Sequence, residues 1–178
     1  VTEDASTIAI AALSTDGLAA RTDELAALLH ACVHAGANIN FVLPFGLADA
    51  AFWTAKVLPA VQGGTRVLLI AEDAGRVVGT VQLDTGTPPN QAHRAEITKL
   101  LVHPDSRRRG IARALMAEIE TVARARDRSL ITLDTRTGDA AEPLYTSLGY
   151  ETAGIIPGFC RDPIADRLYP TTIMYKAV

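Results

Sequence analysis

Three arginines, Arg107, Arg108 and Arg109, run directly into Gly110, with Ala112 two residues further on. Before them the apolar run Leu100-Leu101-Val102 stops at Pro104, and the polar pair Asp105 and Ser106 makes a turn; after them a helical pattern begins. The chemistry of such a strand, turn and helix start is anion binding. The first N–H groups of a helix have no intrahelical acceptor, the helix dipole favours negative charge there, and a glycine lets a ligand come close to the backbone. A diphosphate suits this arrangement, and Ala112 keeps the first turn low enough for it. Taken alone, an arginine triplet is more simply an exposed basic turn.

A second group of residues is of the right type to handle protons or bind a cation. Glu96 lies inside a strand-like run, where a carboxylate facing a core is costly unless paired or hydrated. It either exchanges protons, partners Arg94 or Lys99, or faces solvent. Asp134 stands at the carboxyl end of the next predicted strand, where open sheets bind ligands, and either anchors a cationic substrate or caps a turn at Gly138. Tyr145, on a short helix after that strand, is either a core aromatic with a bonded hydroxyl or a proton donor. His30 and His34 lie one helical turn apart and suit packing or the surface. His93 and His103 flank the Glu96 strand and read as loop residues, with contact to substrate the alternative for His93. Cys32 and Cys160 show no metal-type spacing and read as two reduced thiols.

The elements that position these groups follow from periodicity. Ser6 to Leu13 suits an edge strand, broken by Thr15, Asp16 and Gly17. Thr22 is a good N-cap for a helix with Leu25, Leu28, Leu29, Cys32 and Val33 on one stripe, ended by Gly36. Asn38, Asn40, Phe41 and Phe45 lie in a connector that either walls a small-molecule site or simply packs. Leu47 to Val61 reads as a second helix. Val67 to Ala71 and Arg76 to Leu83 form a hairpin, and Arg94 to Val102 a third strand. The long helix from Gly110 to about Arg126 buries Ile111, Leu115, Met116, Ile119 and Val122 and exposes Glu118, Glu120, Arg124 and Arg126. Ser129 to Thr135 is the strand reached across it, giving a parallel βαβ unit. A helix over Asp139 to Leu148 and strands at Tyr150 to Ile156 and Leu168 to Lys176 complete the chain.

The segment Arg107-x-x-Gly110-x-Ala112 resembles the R/Q-x-x-G-x-G/A signature of the GCN5-related N-acetyltransferases (GNAT), with alanine in place of the second glycine. Leu144-Tyr145-Thr146-Ser147-Leu148-Gly149-Tyr150 resembles a second element of that family, and the predicted element order is similar over nearly the whole chain. The stretches HRAEITKLLVHP, LDTRTGDAAEPLYTSLGY, IPGFCRDPIADRLYPTTIMYK and HAGANINF resemble, more narrowly, the tabtoxin resistance subgroup.

The resemblance implies an α/β fold: a GNAT domain over residues 1–178, with a mixed central sheet of about seven strands flanked by helices. It implies acetyl-CoA as cosubstrate and a small-molecule amine as acceptor. Cofactor contacts would come from Leu100, Leu101 and Val102 on the strand and from Arg107, Arg108, Arg109, Gly110, Ile111, Ala112 and Arg113 at the helix start. Backbone N–H groups near Leu101 and Val102 would face the acetyl carbonyl and pantetheine if the strand carries the family's bulge. Glu96 matches the general-base position and Tyr145 the tyrosine that reaches the CoA sulfur, with Asp134 as a third candidate. The asparagine often found before the short helix is Gly138 here, so no side-chain contact to CoA is expected at that position.

Composition bounds the alternatives. The chain has 178 residues, 48% of them hydrophobic, enough for one buried core, and a net charge of -3 with only three lysines, which speaks against a nucleic-acid binder despite the arginine cluster. No apolar run approaches a membrane span and the first residues lack a basic signal-peptide region, so no membrane partner is expected and a cytoplasmic monomer or homodimer is the default. A non-catalytic acyl-CoA-binding module on the same fold is the competing function.

Overall fold

The computed structural model describes residues 8–178. Its centre is a seven-stranded sheet in the order β1-β2-β3-β4-β5-β7-β6. The strands are β1 (Ala9–Ala12), β2 (Arg66–Asp73), β3 (Arg76–Asp84), β4 (Arg94–Val102), β5 (Leu130–Arg136), β6 (Glu151–Arg161) and β7 (Leu168–Ala177). Every neighbouring pair is antiparallel except β4 and β5, the parallel pair joined through a helix, as the sequence predicts. Of the expected first strand, Ser6 and Thr7 lie outside the described residues.

Helices cover both faces. On one face α4 (Ile111–Ala125) and α5 (Ala141–Ser147) close a core of Val81, Leu83, Ala95, Ile97, Leu115, Met116, Ile119 and Leu133. On the other, α1 (Thr15–Ala20), α2 (Thr22–His34) and the irregular segment 47–62 close a second core around Leu25, Leu28, Leu29, Trp53, Leu68 and Ile70.

Four expectations change. Thr15, Asp16 and Gly17 do not break the chain but begin α1, because the Ser14 side chain accepts from the Gly17 N–H at 3.1 Å. Thr22 is the first residue of α2 rather than its cap; its hydroxyl turns back to donate to the Leu18 and Ala19 carbonyls. The helix expected over 47–61 is a 3₁₀ turn (Leu47–Ala51), a π-helical turn (Trp53–Val57) and the short α3 (Leu58–Gln62). Glu120 is not in solvent: it is 6% exposed and receives the Lys176 ammonium at 2.7 Å.

Two features of β4 create the site. Its pairing with β5 covers only Arg94↔Leu130, Ala95↔Ile131 and Glu96↔Thr132, after which the two strands part. Against β3, Thr98 stands opposite Gln82 and Leu101 opposite Thr80, so Lys99 and Leu100 together oppose Val81: a β-bulge, with Lys99 at φ 53°. The extra residue shifts the alternation. Ala95 and Ile97 face the α4 core, yet beyond the bulge Leu100 and Val102 face it and Leu101 faces the α2 core.

Gly79 makes room for this bend. A Cβ there would lie 2.9 Å from the Leu101 carbonyl oxygen and 3.1 Å from Ile111 Cγ2, closer than packed atoms tolerate.

Candidate active site

An open cleft of about 580 Å³ runs from the parting of β4 and β5 to the start of α4. Leu100, Leu101 and Val102 of the bulged strand form one side, Gly110, Ile111 and Ala112 the far end, and Arg107 and Arg108 the rim. Gly36 and Ala37 close it from the α2 side, and Asp139 and Leu144 from the α5 side. Among the described residues no strand pairs with β4 on its β5 side beyond Glu96, so that edge is open to an extended ligand.

The α4 end is built for an anion. Gly110 is the N-cap, in the left-handed region (φ +79°), and supplies no side-chain cap. The Ala114 N–H donates to the Gly110 carbonyl at 3.0 Å, while the N–H groups of Ile111, Ala112 and Arg113 find no acceptor among the described residues. No atom lies within 4 Å of where a Gly110 Cβ would project, so the ground in front of those donors is open. These residues fit a diphosphate.

The structure brings together most, not all, of the residues expected at this end. Arg107 Nε donates to the Val102 carbonyl at 3.4 Å, and the Cys32 thiol reaches the same oxygen at 3.5 Å. Burial pushes that thiol up to about 11, so it stays protonated. Arg109 is turned away to Asp73, 2.5 Å distant, and Arg113 donates to Ser147 Oγ at 2.8 Å; neither lines the cleft.

Glu96 and Asp134 lie off the cleft wall, on the α2 face of the strands where these part. Arg94 Nη1 donates to Thr132 Oγ1 at 2.9 Å and stands 3.8 Å from Glu96, which fixes the shared face. The Glu96 side chain keeps 46% exposure, and its carboxyl is raised above the usual range by desolvation, opposed by Arg94 and reinforced by Asp134 and Asp84. Asp134 does not cap the turn at Gly138. It accepts from Thr171 Oγ1 at 3.2 Å, and the Gly138 N–H is taken instead by Glu142 at 2.7 Å.

Tyr145 is 6% exposed, edge-on to Tyr150 with ring centroids 5.9 Å apart. Its hydroxyl forms no hydrogen bond with any described residue, yet it is not among the fully enclosed polar atoms, so its tip meets accessible space. Burial raises its pKa, and the nearby charges of Asp134 and Asp139 add to that. It therefore remains a hydroxyl.

Three of the four histidines are engaged in local contacts. His30 and His34 stack at 4.1 Å, His34 Nε2 lies 2.9 Å from the Phe45 carbonyl, and His103 Nδ1 accepts from the Asp105 N–H at 3.3 Å. One residue escaped the sequence reading: Lys99, taken only as a possible partner of Glu96, lies over the rings of Phe41 and Phe52 at 5.8 and 5.6 Å. A bulge has no local sequence signature, so nothing in the strand pattern marked it.

Comparison with known proteins agrees with this geometry. A crystal structure of a ribosomal-protein-alanine N-acetyltransferase from Brucella melitensis superposes with a TM-score of 0.76 at 24% identity, covering 96% of this chain and 99% of that one. The yncA protein of Salmonella typhimurium, solved with its cofactor acetyl-CoA, gives 0.75 at 18% identity, covering 96% and 93%. In sequence, an acetyltransferase of Sodalis glossinidius is 40% identical over 86 residues, a stretch that spans 48% of this chain and 57% of that relative's length. Residues 43–150 match the family model for the acetyltransferase (GNAT) family, and the chain belongs to that family.

Proposed function

We propose that this chain is an acetyl-CoA-dependent N-acetyltransferase acting on a small-molecule amine, with residues 1–178 as one domain working in the cytoplasm. The observation that carries the reading is the parting of β4 from β5 beside an α4 start with unclaimed N–H groups. Within the family, the resemblance of the stretches around Glu96, Tyr145 and Cys160 to the tabtoxin resistance subgroup supports a small-molecule acceptor.

Acetyl-CoA, when bound, supplies an acetyl group activated as a thioester. The Ile111, Ala112 and Arg113 N–H groups hold its diphosphate, and Arg107 and Arg108 add positive charge at the rim. Peptide groups of Leu100, Leu101 and Val102 hold the pantetheine arm and orient the acetyl carbonyl. An amine is protonated at neutral pH, with a pKa near about 10.4, and must lose that proton to attack. Glu96 takes it, directly or through a water, and a carboxyl raised toward neutrality is better matched to that task than an ordinary one. Tyr145 donates its proton to the departing sulfur. Asp134 holds the ammonium form of the acceptor beside Glu96.

The test is calorimetry with acetyl-CoA followed by a thiol-release screen of amines, with Gly110→Glu as control. Wild type is expected to bind and release thiol, and the variant, with an anion set before the α4 donors, to do neither. Equal acetyl-CoA affinity in the two proteins overturns the cofactor site; binding without release from any amine favours the non-catalytic module.

A further inference from the structure

The acceptor side of the parted strands carries charges of both signs, and most are satisfied within the protein. Arg66 is paired with Asp84. Arg94 is held by Gln91 Oε1 at 2.9 Å as well as by Thr132. Asp134 has Thr171. Lys99 differs from all of these.

The Lys99 ammonium forms no hydrogen bond and no ion pair with any described residue, and it is not fully enclosed. Its Nζ lies over two aromatic rings, Phe41 and Phe52, which are themselves edge-on at 5.5 Å. Desolvation, reinforced by Arg66, lowers its pKa to about 8, and Asp134 and Glu96 attract it without closing an ion pair, which leaves it mostly charged at neutral pH. A partly desolvated ammonium normally recovers its lost hydration from a counterion. Here the described residues provide none within ion-pair distance.

The bulge is what aims it there. In a regular strand residues 96 and 99 point to opposite faces, and only the extra residue, with Lys99 held at positive φ, brings both to the acceptor side. The strand thus holds, on one face, an ammonium with no ion-pair partner among the described residues and a half-exposed carboxylate whose nearest cation, Arg94, stands 3.8 Å away and is bonded to Gln91 and Thr132, without letting the two neutralise each other. That is the complement of a ligand carrying both charges.

We propose that Lys99 binds an anionic group of the acceptor, so that the substrate is a small molecule bearing a carboxylate or phosphate in addition to the amine that Glu96 and Asp134 receive. This deepens the N-acetyltransferase reading and rests on it. Phe41 and Phe52 shield the ammonium from water and strengthen its hold on the anion.

The test sets the proteinogenic amino acids against their decarboxylated amines, and phosphoethanolamine against ethanolamine, by calorimetry and by thiol release, in wild type, Lys99→Met and Lys99→Arg. Methionine keeps the apolar stem between the rings. Wild type is expected to favour one anionic series by about 10- to 100-fold in kcat/KM, the range of a charge-assisted hydrogen bond. The winning series tells carboxylate from phosphate. Lys99→Met should abolish the preference through KM, leaving kcat on the plain amine and acetyl-CoA affinity unchanged, and Lys99→Arg should retain most of it. A wild type that prefers plain amines, binds no anionic amine, or loses activity on every acceptor equally in Lys99→Met overturns the proposal. Failure of the acetyltransferase reading shows separately, as absent acetyl-CoA binding.

Discussion

Glu96 and Asp134 stand on one face of two parting strands, Glu96 level with Thr132 and Asp134 two residues beyond it. Desolvation, with the nearby Asp134 charge adding to it, holds the Glu96 carboxyl above its ordinary value. A carboxyl raised by folding contributes its stability in full below the unfolded pKa, and that contribution is lost as pH rises through the folded value. Ionised Glu96 therefore weighs against the fold at neutral pH. Glu96→Gln should leave the melting temperature unchanged or higher at pH 7 while lowering kcat/KM by about 10²–10⁴-fold, with recovery at high pH where the amine deprotonates unaided. Parallel pH–rate profiles for the two proteins would exclude the general-base role.

Tyr145→Phe removes a hydroxyl that no described residue bonds, so the protein should lose little stability. The rate of transfer should fall by about 10²-fold or more at undiminished acetyl-CoA affinity, if the hydroxyl serves the leaving sulfur. Stopped-time assays with calorimetry decide; an unaltered kcat returns the residue to a packing role beside Tyr150.

Gly79→Ala places a methyl 2.9 Å from the Leu101 carbonyl, a backbone atom that cannot rotate away. The expected cost is about 1–3 kcal/mol, as for other overpacked interiors. Since Leu101 directly follows the bulge and lines the cleft, acetyl-CoA binding should weaken as well. Denaturant unfolding and calorimetry on the same sample test both effects, and a variant that loses neither would show the bulge to be compliant.

Glu120→Ala leaves the Lys176 ammonium without its partner. Losing one member of a buried pair costs about 3–5 kcal/mol, and with 23% of the Lys176 side chain exposed the lower end is expected. Acetyl-CoA affinity should not change, because the pair lies away from the cleft wall. A stability loss below about 1 kcal/mol would mean that Lys176 finds water instead.

The parts of this molecule legible in its sequence are those set by local pattern. The strand at 94–102, its hairpin neighbours and α4 follow from alternation, turn residues and a helical stripe. What the sequence hid depends on distant partners. Glu120 sits on what reads as the polar side of α4 and is buried only because β7 delivers Lys176 from 56 residues away. Trp53 donates from its indole to the Leu25 carbonyl at 3.0 Å, a contact that ties the 47–62 segment to α2 and that helical periodicity does not register. Ser14 caps α1 across a Thr-Asp-Gly run whose composition suggests a loop. In the site, the arginine loop announced itself by spacing, whereas Lys99 acquires its surroundings only from a backbone irregularity.

That irregularity makes β4 a strand counted to the residue. One extra position between Ile97 and Leu101 is what lets a single segment show Glu96 and Lys99 to one side of the sheet and Leu100 and Val102 to the other. Side chains along it can be exchanged with graded effects, but its length cannot. A chain lacking residue 99 would restore simple alternation with Leu100, Leu101 and Val102 on the sides they now occupy, and would remove the one position that adds Lys99 to the ligand side. Variation in acceptor preference is thus open to this scaffold through substitution on β4 and closed to it through insertion or deletion there.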